Sequence, residues 1–216
     1  MPKVWINCAV SLDGKLAFAS GRRANLSGPN DMRRVQRIRS ASDAILVGVG
    51  TVIKDNPSLK VHWELLGIKP KSHRTPIRVV IDSNGRTPKG AKVMDGSAPT
   101  AIITAEQCKR AFPTFVHHAS FGNGHVDIRM ALEWLSTEFG VRKLMVEGGS
   151  RIITSFINEG LADRITVFVA PVLIGGITAP SLMAGADCRD EKCMVKLHLV
   201  GVKRLDDGVL LDFKRK

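Results

Sequence analysis

The 216-residue chain has no tyrosine, only three tryptophans, and no pair of cysteines spaced C-x-x-C. Three Trp and no Tyr, beside eight Phe, leave few residues on which successive bases could stack, which weighs against a single-stranded nucleic-acid platform. The missing C-x-x-C removes the zinc-knuckle and redox-motif readings, so Cys8, Cys108, Cys188 and Cys193 are expected to be reduced structural thiols and no metal is expected. No apolar run approaches the roughly 20 residues of a membrane span, and the opening MPKVWINCAV has no signal-peptide pattern. The expectation is a soluble cytoplasmic protein with no membrane partner. Linkers rich in Pro and Ser, low-complexity tracts and internal repeats are also missing, so residues 1–216 read as one domain with a full core.

Positive charge is what the chain has in excess, with 32 Lys and Arg against 20 Asp and Glu and a net charge of +12. Nucleic acid, phosphorylated metabolites and a merely soluble basic surface all satisfy that balance. The clusters Arg22-Arg23, Arg33-Arg34, Arg37, Arg39 and Lys214-Arg215-Lys216 are scattered, and none sits in a zinc finger, basic zipper or aromatic RNA-binding signature.

The chain is organised around Lys143–Asp163, KLMVEGGSRIITSFINEGLAD. Leu144, Met145 and Val146 form a short apolar run bounded by turn residues, the mark of a strand buried on both faces of a parallel sheet. Glu147 then falls at the carboxyl end of the strand, Gly148-Gly149 allows a tight turn, and Ser150 is a good N-cap for a helix. Ile152, Ile153, Phe156 and Ile157 give that helix its apolar face, and Gly160 its end. Such a unit aims unpaired N–H groups into the crevice beyond the strand, where a pyrophosphate is favoured. A glycine pair can also be only a tight connection. Glu147 is either a partnered carboxylate of a site or a solvated loop residue, and burying it alone would be costly.

The same pattern recurs along the chain. Val4–Ser11 reads as a central strand ending at Ser-Leu-Asp-Gly-Lys, and Pro29-Asn30-Asp31 opens a helix to about Ser42 with Met32, Val35 and Ile38 on one side. Arg39 at the edge of that stripe is either a snorkelling stem or an anion hook. Ala44–Val47 is a buried strand running into Gly48-Val49-Gly50-Thr51, which lacks the third glycine of a dinucleotide fingerprint and the Gly-Lys-Ser/Thr of a P-loop. Thr51 can still offer a hydroxyl to phosphate oxygens, while Asp55 before Asn-Pro suits a turn. After an excursion over Lys60–Thr75, Ile77–Ile81 is a third buried strand, closed by the turn cluster Asp82–Arg86. Thr100–Thr104 with Glu106–Phe112, then Thr114–His117 with the helix Asp127–Phe139, continue a strand–helix alternation. In that last helix Ile128, Ala131, Leu132, Leu135 and Phe139 form the buried face. Arg164–Pro171 alternates as a strand, and Val195–Arg204 and Val209–Lys214 flank Asp207-Gly208, a hairpin signal.

Taken together, SLDGK, IRSASDAILVGVGTVIKDNPSL, PIRVVIDSNGR, VEGGS and GLADRI…PVLIGG make the chain similar to the riboflavin-biosynthesis reductases of dihydrofolate-reductase-like fold. The likeness spans nearly the whole chain. It implies an α/β fold with a mostly parallel central sheet flanked by helices and a C-terminal antiparallel hairpin. The zinc-deaminase signature H-x-E…P-C-x-x-C is absent, so the chain resembles the stand-alone reductases rather than the fused ones.

The resemblance implies NADPH-dependent reduction of 2,5-diamino-6-ribosylamino-4(3H)-pyrimidinone 5′-phosphate to its ribitylamino form. It implies cofactor contacts at Ala9, Thr51, Asp55, Ser83, Gly148, Gly149, Ser150 and Arg151, and substrate contacts at Asn7, Arg23, Arg39 and Glu147. Asn7 stands where fused forms often carry lysine, and Arg23 where they carry a small hydroxyl. Asn7, Asp13 and Glu147 are expected around the reacting sugar, with Asp13 alternatively fixing the loop after the first strand. Arg39 is expected on the substrate phosphate, and Arg86, from its position past the third strand, on the adenosine 2′-phosphate. A small phosphorylated pyrimidine as partner, no nucleic acid, and a homodimer complete the expectations. The rivals are a dihydrofolate reductase and a basic nucleic-acid-binding domain.

Overall fold

In the computed structural model, which describes residues 1–69, 75–185 and 188–216, one sheet of nine strands runs through the molecule. The strands are β1 Lys3–Ser11, β2 Ala44–Gly48, β3 Ile77–Ile81, β4 Thr100–Thr104, β5 Val116–Ser120, β6 Lys143–Gly148, β7 Arg164–Ala170, β8 Leu197–Leu205 and β9 Gly208–Arg215. Their order across the sheet is β5-β4-β3-β2-β6-β1-β7-β9-β8. Every pairing from β5 to β7 is parallel, and β9 then pairs antiparallel with both β7 and β8. The apolar runs of β2, β3 and β4 are buried at every position, as strands covered on both faces must be.

Strand alternation divides the core into two layers. Val4, Ile6, Leu46, Val79, Ile103 and Val146 face helices α3 (Ile128–Phe139) and α4 (Ser150–Asn158). Ile45, Val47, Val80 and Ile102 face Leu59, Val93 and Met94 on the other side. Arg78 shares the face of Val80 and is fully buried, held by Thr100 Oγ1 (2.9 Å), the carbonyls of Lys92 (2.8 Å) and Ala98 (2.7 Å), and Asp95 Oδ1 (2.9 Å).

Several sequence expectations are corrected. Helix α1 spans Pro29–Ser40; it leaves Met32 exposed and buries Gln36. Gly28 gives it no side-chain cap. Instead Asp206, in the β8–β9 turn, accepts the N–H groups of Asn30 (3.1 Å) and Asp31 (3.0 Å), and these bonds hold its carboxyl below the usual range. The hairpin loop is therefore Asp206-Asp207, with Asp206 left-handed and Leu205 paired to Gly208, one residue earlier than the Asp-Gly signal places it. Glu106–Phe112 forms no helix, because it carries no apolar face to bury. Asp127 does cap α3, accepting from Met130 N at 3.0 Å. In the Lys60–Thr75 excursion, Trp63–Leu66 makes a 3₁₀ turn, while residues 70–74 lie outside the described part.

The cysteine expectation fails for one pair. Cys188 and Cys193 form a disulfide, their Cα atoms brought to 5.5 Å by the short turn Glu191–Cys193, at a spacing wider than C-x-x-C. Cys8 and Cys108 are free, and burial pushes the Cys8 thiol up to about 12, far from a reactive thiolate. No helix among the described residues is long and apolar enough to cross a membrane, and these residues hold no metal-binding cluster.

Candidate active site

The carboxyl ends of β1, β2, β3 and β6 open into a cleft of about 940 Å³. Parallel strands place this opening where their following loops converge. It is lined by Asn7 and Ala9 from β1, Arg23, Arg39 from α1, Thr51 and Asp55 from the helix α2 (Val49–Asp55), Ser83 and Arg86 from the β3 turn, and Glu147–Arg151 from the end of β6. Of the residues singled out in the sequence, only Asp13 lies outside. Its carboxylate accepts from Ser11 Oγ (2.6 Å), Ile174 N (3.0 Å) and Gly175 N (2.7 Å), and these bonds, the Ser11 hydroxyl foremost, bring it down to about 2.

The β6 end is where chemistry and backbone meet. Gly148 takes φ +113°, a left-handed value costly for any other residue, and the Gly148–Gly149 peptide is cis. Gly149, not Ser150, is the N-cap of α4, and its own φ of −74° is ordinary. A Cβ there would stand 3.2 Å from Thr51 Oγ1, so the glycine keeps a narrow channel between the β6 turn and α2. Ser150 is displaced from capping because its hydroxyl donates to the Ser181 carbonyl (2.5 Å), tying the 181–184 loop over α4. Thr154 reinforces the tie by accepting the Ala184 N–H at 2.7 Å.

Glu147 has a partner, which removes the solvated-loop alternative. Arg39 Nε and Nη2 meet its two oxygens at 2.6 and 2.7 Å, and Arg39 Nη1 donates to the Lys60 carbonyl at 2.8 Å. The pair is mostly buried, at 13% and 14% side-chain exposure. Burial alone would lower the Arg39 pKa, but the Glu147 charge and hydrogen bonds outweigh it and leave it raised. Arg39 is thus not the free phosphate hook expected from the sequence: its fork is already matched to a carboxylate.

The unpaired cations are elsewhere. Arg23, Lys54, Arg86 and Arg151 lie exposed along the rim and make no ion pair among the described residues. Lys54, which the sequence reading passed over, lies close against Gly21, where a Cβ would come within 2.5 Å of its Nζ. Asp55 sits between the two basic residues; desolvation raises its carboxyl, and Arg23 and Lys54 pull it back. Asp31 was missed as well. It is 1% exposed, ion-paired to Arg34 at 2.7 Å, and one of its oxygens has no hydrogen-bond partner among the described residues.

A dinucleotide fits this lining on the evidence of the cradle. The α4 N-terminus has no side-chain cap, Gly149 leaves open the space a Cβ would fill, and Thr51 Oγ1 faces that space.

Such a cleft, at the carboxyl ends of a parallel sheet that finishes in an antiparallel hairpin, defines an α/β protein of the dihydrofolate-reductase-like class. More narrowly, the chain belongs to the RibD C-terminal domain family, which matches residues 2–211. It is 36% identical over 214 residues to the 2,5-diamino-6-ribosylamino-4(3H)-pyrimidinone 5′-phosphate reductase of Archaeoglobus fulgidus, covering 96% of this chain and 95% of that one. Its identity to the protein of the same name from Methanothermobacter thermautotrophicus is 34% over 224 residues, covering 100% and 99%. Among solved structures, Acinetobacter baumannii RibD superposes with a TM-score of 0.85 at 26% identity, over 100% of this chain and 58% of that one. The Saccharomyces cerevisiae riboflavin biosynthesis reductase Rib7 shares the fold, with a TM-score of 0.76 at 20% identity over 100% and 90%.

Proposed function

We propose that this protein, as a single reductase domain, reduces 2,5-diamino-6-ribosylamino-4(3H)-pyrimidinone 5′-phosphate to the ribitylamino compound with NADPH, in the cytoplasm. The chain is an oxidoreductase of riboflavin biosynthesis, and its relatives in Archaeoglobus and Methanothermobacter are named as reductases of that pyrimidinone phosphate. One observation carries the reading: the Glu147–Arg39 pair and the open Gly149 cradle stand in one cleft at the end of β6, which supports a substrate bound beside the cofactor.

When bound, the nicotinamide supplies the hydride, and the protein's part is to place and shield the reacting carbon. The Gly149, Ser150 and Arg151 N–H groups and the Thr51 hydroxyl would hold the cofactor's pyrophosphate, with Ala9 and Ser83 lining the same cleft, and Arg86 would take the adenosine 2′-phosphate. Asp55 steadies the α2 end of the cofactor site. Ring opening of the ribosylamine gives an imine whose C1′ is the acceptor. Glu147 lies beside it as one half of a neutral pair, so Arg39 tempers the charge it offers an iminium and fixes where its oxygens point. Asn7 hydrogen-bonds the sugar, and Arg23 with Lys54 takes the substrate phosphate. Asp13 receives the structural role, since both of its oxygens are engaged by the loop it holds. A homodimer is supported by Leu199, Val200 and Val202, exposed apolar residues on the edge strand β8; sedimentation giving a monomer at micromolar concentration would remove it.

The test of the reaction is NADPH oxidation that depends on the pyrimidine substrate and is negligible with dihydrofolate. With NADPH deuterated at the transferred C4 position, deuterium is expected at C1′ of the product. Deuterium at C2′ would mean an enolised intermediate and would overturn the imine mechanism.

A further inference from the structure

Asn7 sits in the middle of β1, buried, with Thr166 directly opposite it on β7. Trp5, two residues earlier and so on the same face, donates its indole N–H to Thr166 Oγ1 at 2.9 Å, and Thr166 Oγ1 lies 2.8 Å from the end of the Asn7 side chain. An indole nitrogen only donates, so it occupies one lone pair of the threonine hydroxyl. The hydroxyl proton then has two acceptors in reach, the Asn7 side chain at 2.8 Å and the Ile6 carbonyl at 3.4 Å. Bonds of the O–H···O kind extend to about 3.0 Å, so the proton goes to Asn7. The Asn7 atom that receives it must be Oδ1. The NH₂ is thereby turned away from β7, and it has no hydrogen-bond partner among the described residues while Asn7 lines the cleft. Behind the relay Trp5 is fixed in turn: the Arg164 guanidinium lies 4.0 Å over its ring and is itself held by Asp212 on β9 at 2.8 and 2.5 Å.

We propose that Thr166 is a positioning residue that locks the Asn7 amide with its NH₂ toward the cleft, so that the ligand group read there is an acceptor oxygen. With the amide reversed, the cleft would present a carbonyl and read a donor instead. Assigning that oxygen to the substrate's sugar rests on the reaction proposed above; the orientation of the amide does not.

Two measurements on the full chain test this separately. Neutron diffraction from deuterium-exchanged crystals is expected to show the Thr166 hydroxyl deuteron aimed at Asn7 and both amide deuterons on the cleft side. Deuterons of Asn7 facing Thr166 would overturn the assignment, whatever the protein's substrate. In steady-state kinetics, Thr166→Val is expected to lower kcat/KM about tenfold or more, with the NADPH Kd unchanged, and Thr166→Ser to restore it to within about twofold. Because Thr166 acts through Asn7, Thr166→Val should add nothing further in an Asn7→Ala background. Equal losses in both backgrounds, or no rescue by serine, would overturn the positioning role. A wild-type enzyme that leaves the pyrimidine untouched would instead defeat the proposed reaction, and the neutron result would still decide the amide.

Discussion

Arg78 and Arg39 each make hydrogen bonds through all three guanidinium nitrogens, yet they serve opposite ends. Arg78, on β3, lies fully inside and joins β4, the Lys92–Met94 turn and the residue 95–98 loop through mostly neutral acceptors. Arg39 keeps 13% of its side chain open to a cleft and holds one carboxylate in a two-pronged grip. A cation that ties separate loops together on a closed face is part of the scaffold. A cation that aims a single acid at an open cavity belongs to the site, and its removal should change turnover more than folding.

The comparison breaks if the two arginines behave alike. Arg78→Met leaves two carbonyls and a hydroxyl without their buried donor and should cost on the order of 3 kcal/mol in urea unfolding. The folded fraction should keep its kcat/KM, and an unfolding midpoint equal to wild type would refute the scaffold role. Glu147→Gln should do the reverse, shifting the midpoint less while kcat and kcat/KM fall together by about tenfold or more. A rise in KM alone would make Glu147 a binding residue only. Gly149→Val sharpens the contrast within the cleft. Its φ accepts valine, but the side chain enters the space beside Thr51, so the NADPH Kd from fluorescence titration should rise over about tenfold, or ~1.4 kcal/mol, with the fold retained by circular dichroism. Wild-type affinity would refute the cradle. The smallest effect belongs to Asp13. Its folded value of about 2 lies below the ordinary carboxylate, so its hold on Ile174 and Gly175 is complete above roughly pH 4 and is lost as pH falls through about 2. Carbon-13 titration of Asp13 should show this, and Asp13→Asn should remove the acid response of the two loop amides; a midpoint near 4 would contradict it.

Much of this architecture was legible in the sequence, and the reason is local. β2, β3, β4 and the β6 run announce themselves because a strand buried on both faces is mostly apolar, and glycine with polar residues after β2, β3 and β6 marks the crevice. The same logic collected Thr51, Glu147 and Gly149 before their meeting in one cleft was visible, while Ser83 was singled out only by the family resemblance. Arg78 escaped it, because within Ile-Arg-Val-Val-Ile a single arginine reads as a tolerated polar residue, and its acceptors lie 14 to 22 residues away. Ser150 misled for a related reason: serine after a glycine pair is a good cap on propensity, but the Ser181 carbonyl competes for its hydroxyl.

Local pattern is enough for the two-sided burial of the parallel strands and the turn residues at the ends of β2, β3 and β6, since each depends on neighbours within a few positions. The partners come from the packing of distant elements: Arg39 with Glu147 across 108 residues, Thr166 with Asn7 across 159, and Asp206 capping a helix that begins 177 residues earlier. Those contacts arise because the sheet order sets β6, β1 and β7 side by side and folds the β8–β9 turn back onto α1. A polar side chain shows that it needs a partner, while the topology selects which one it finds.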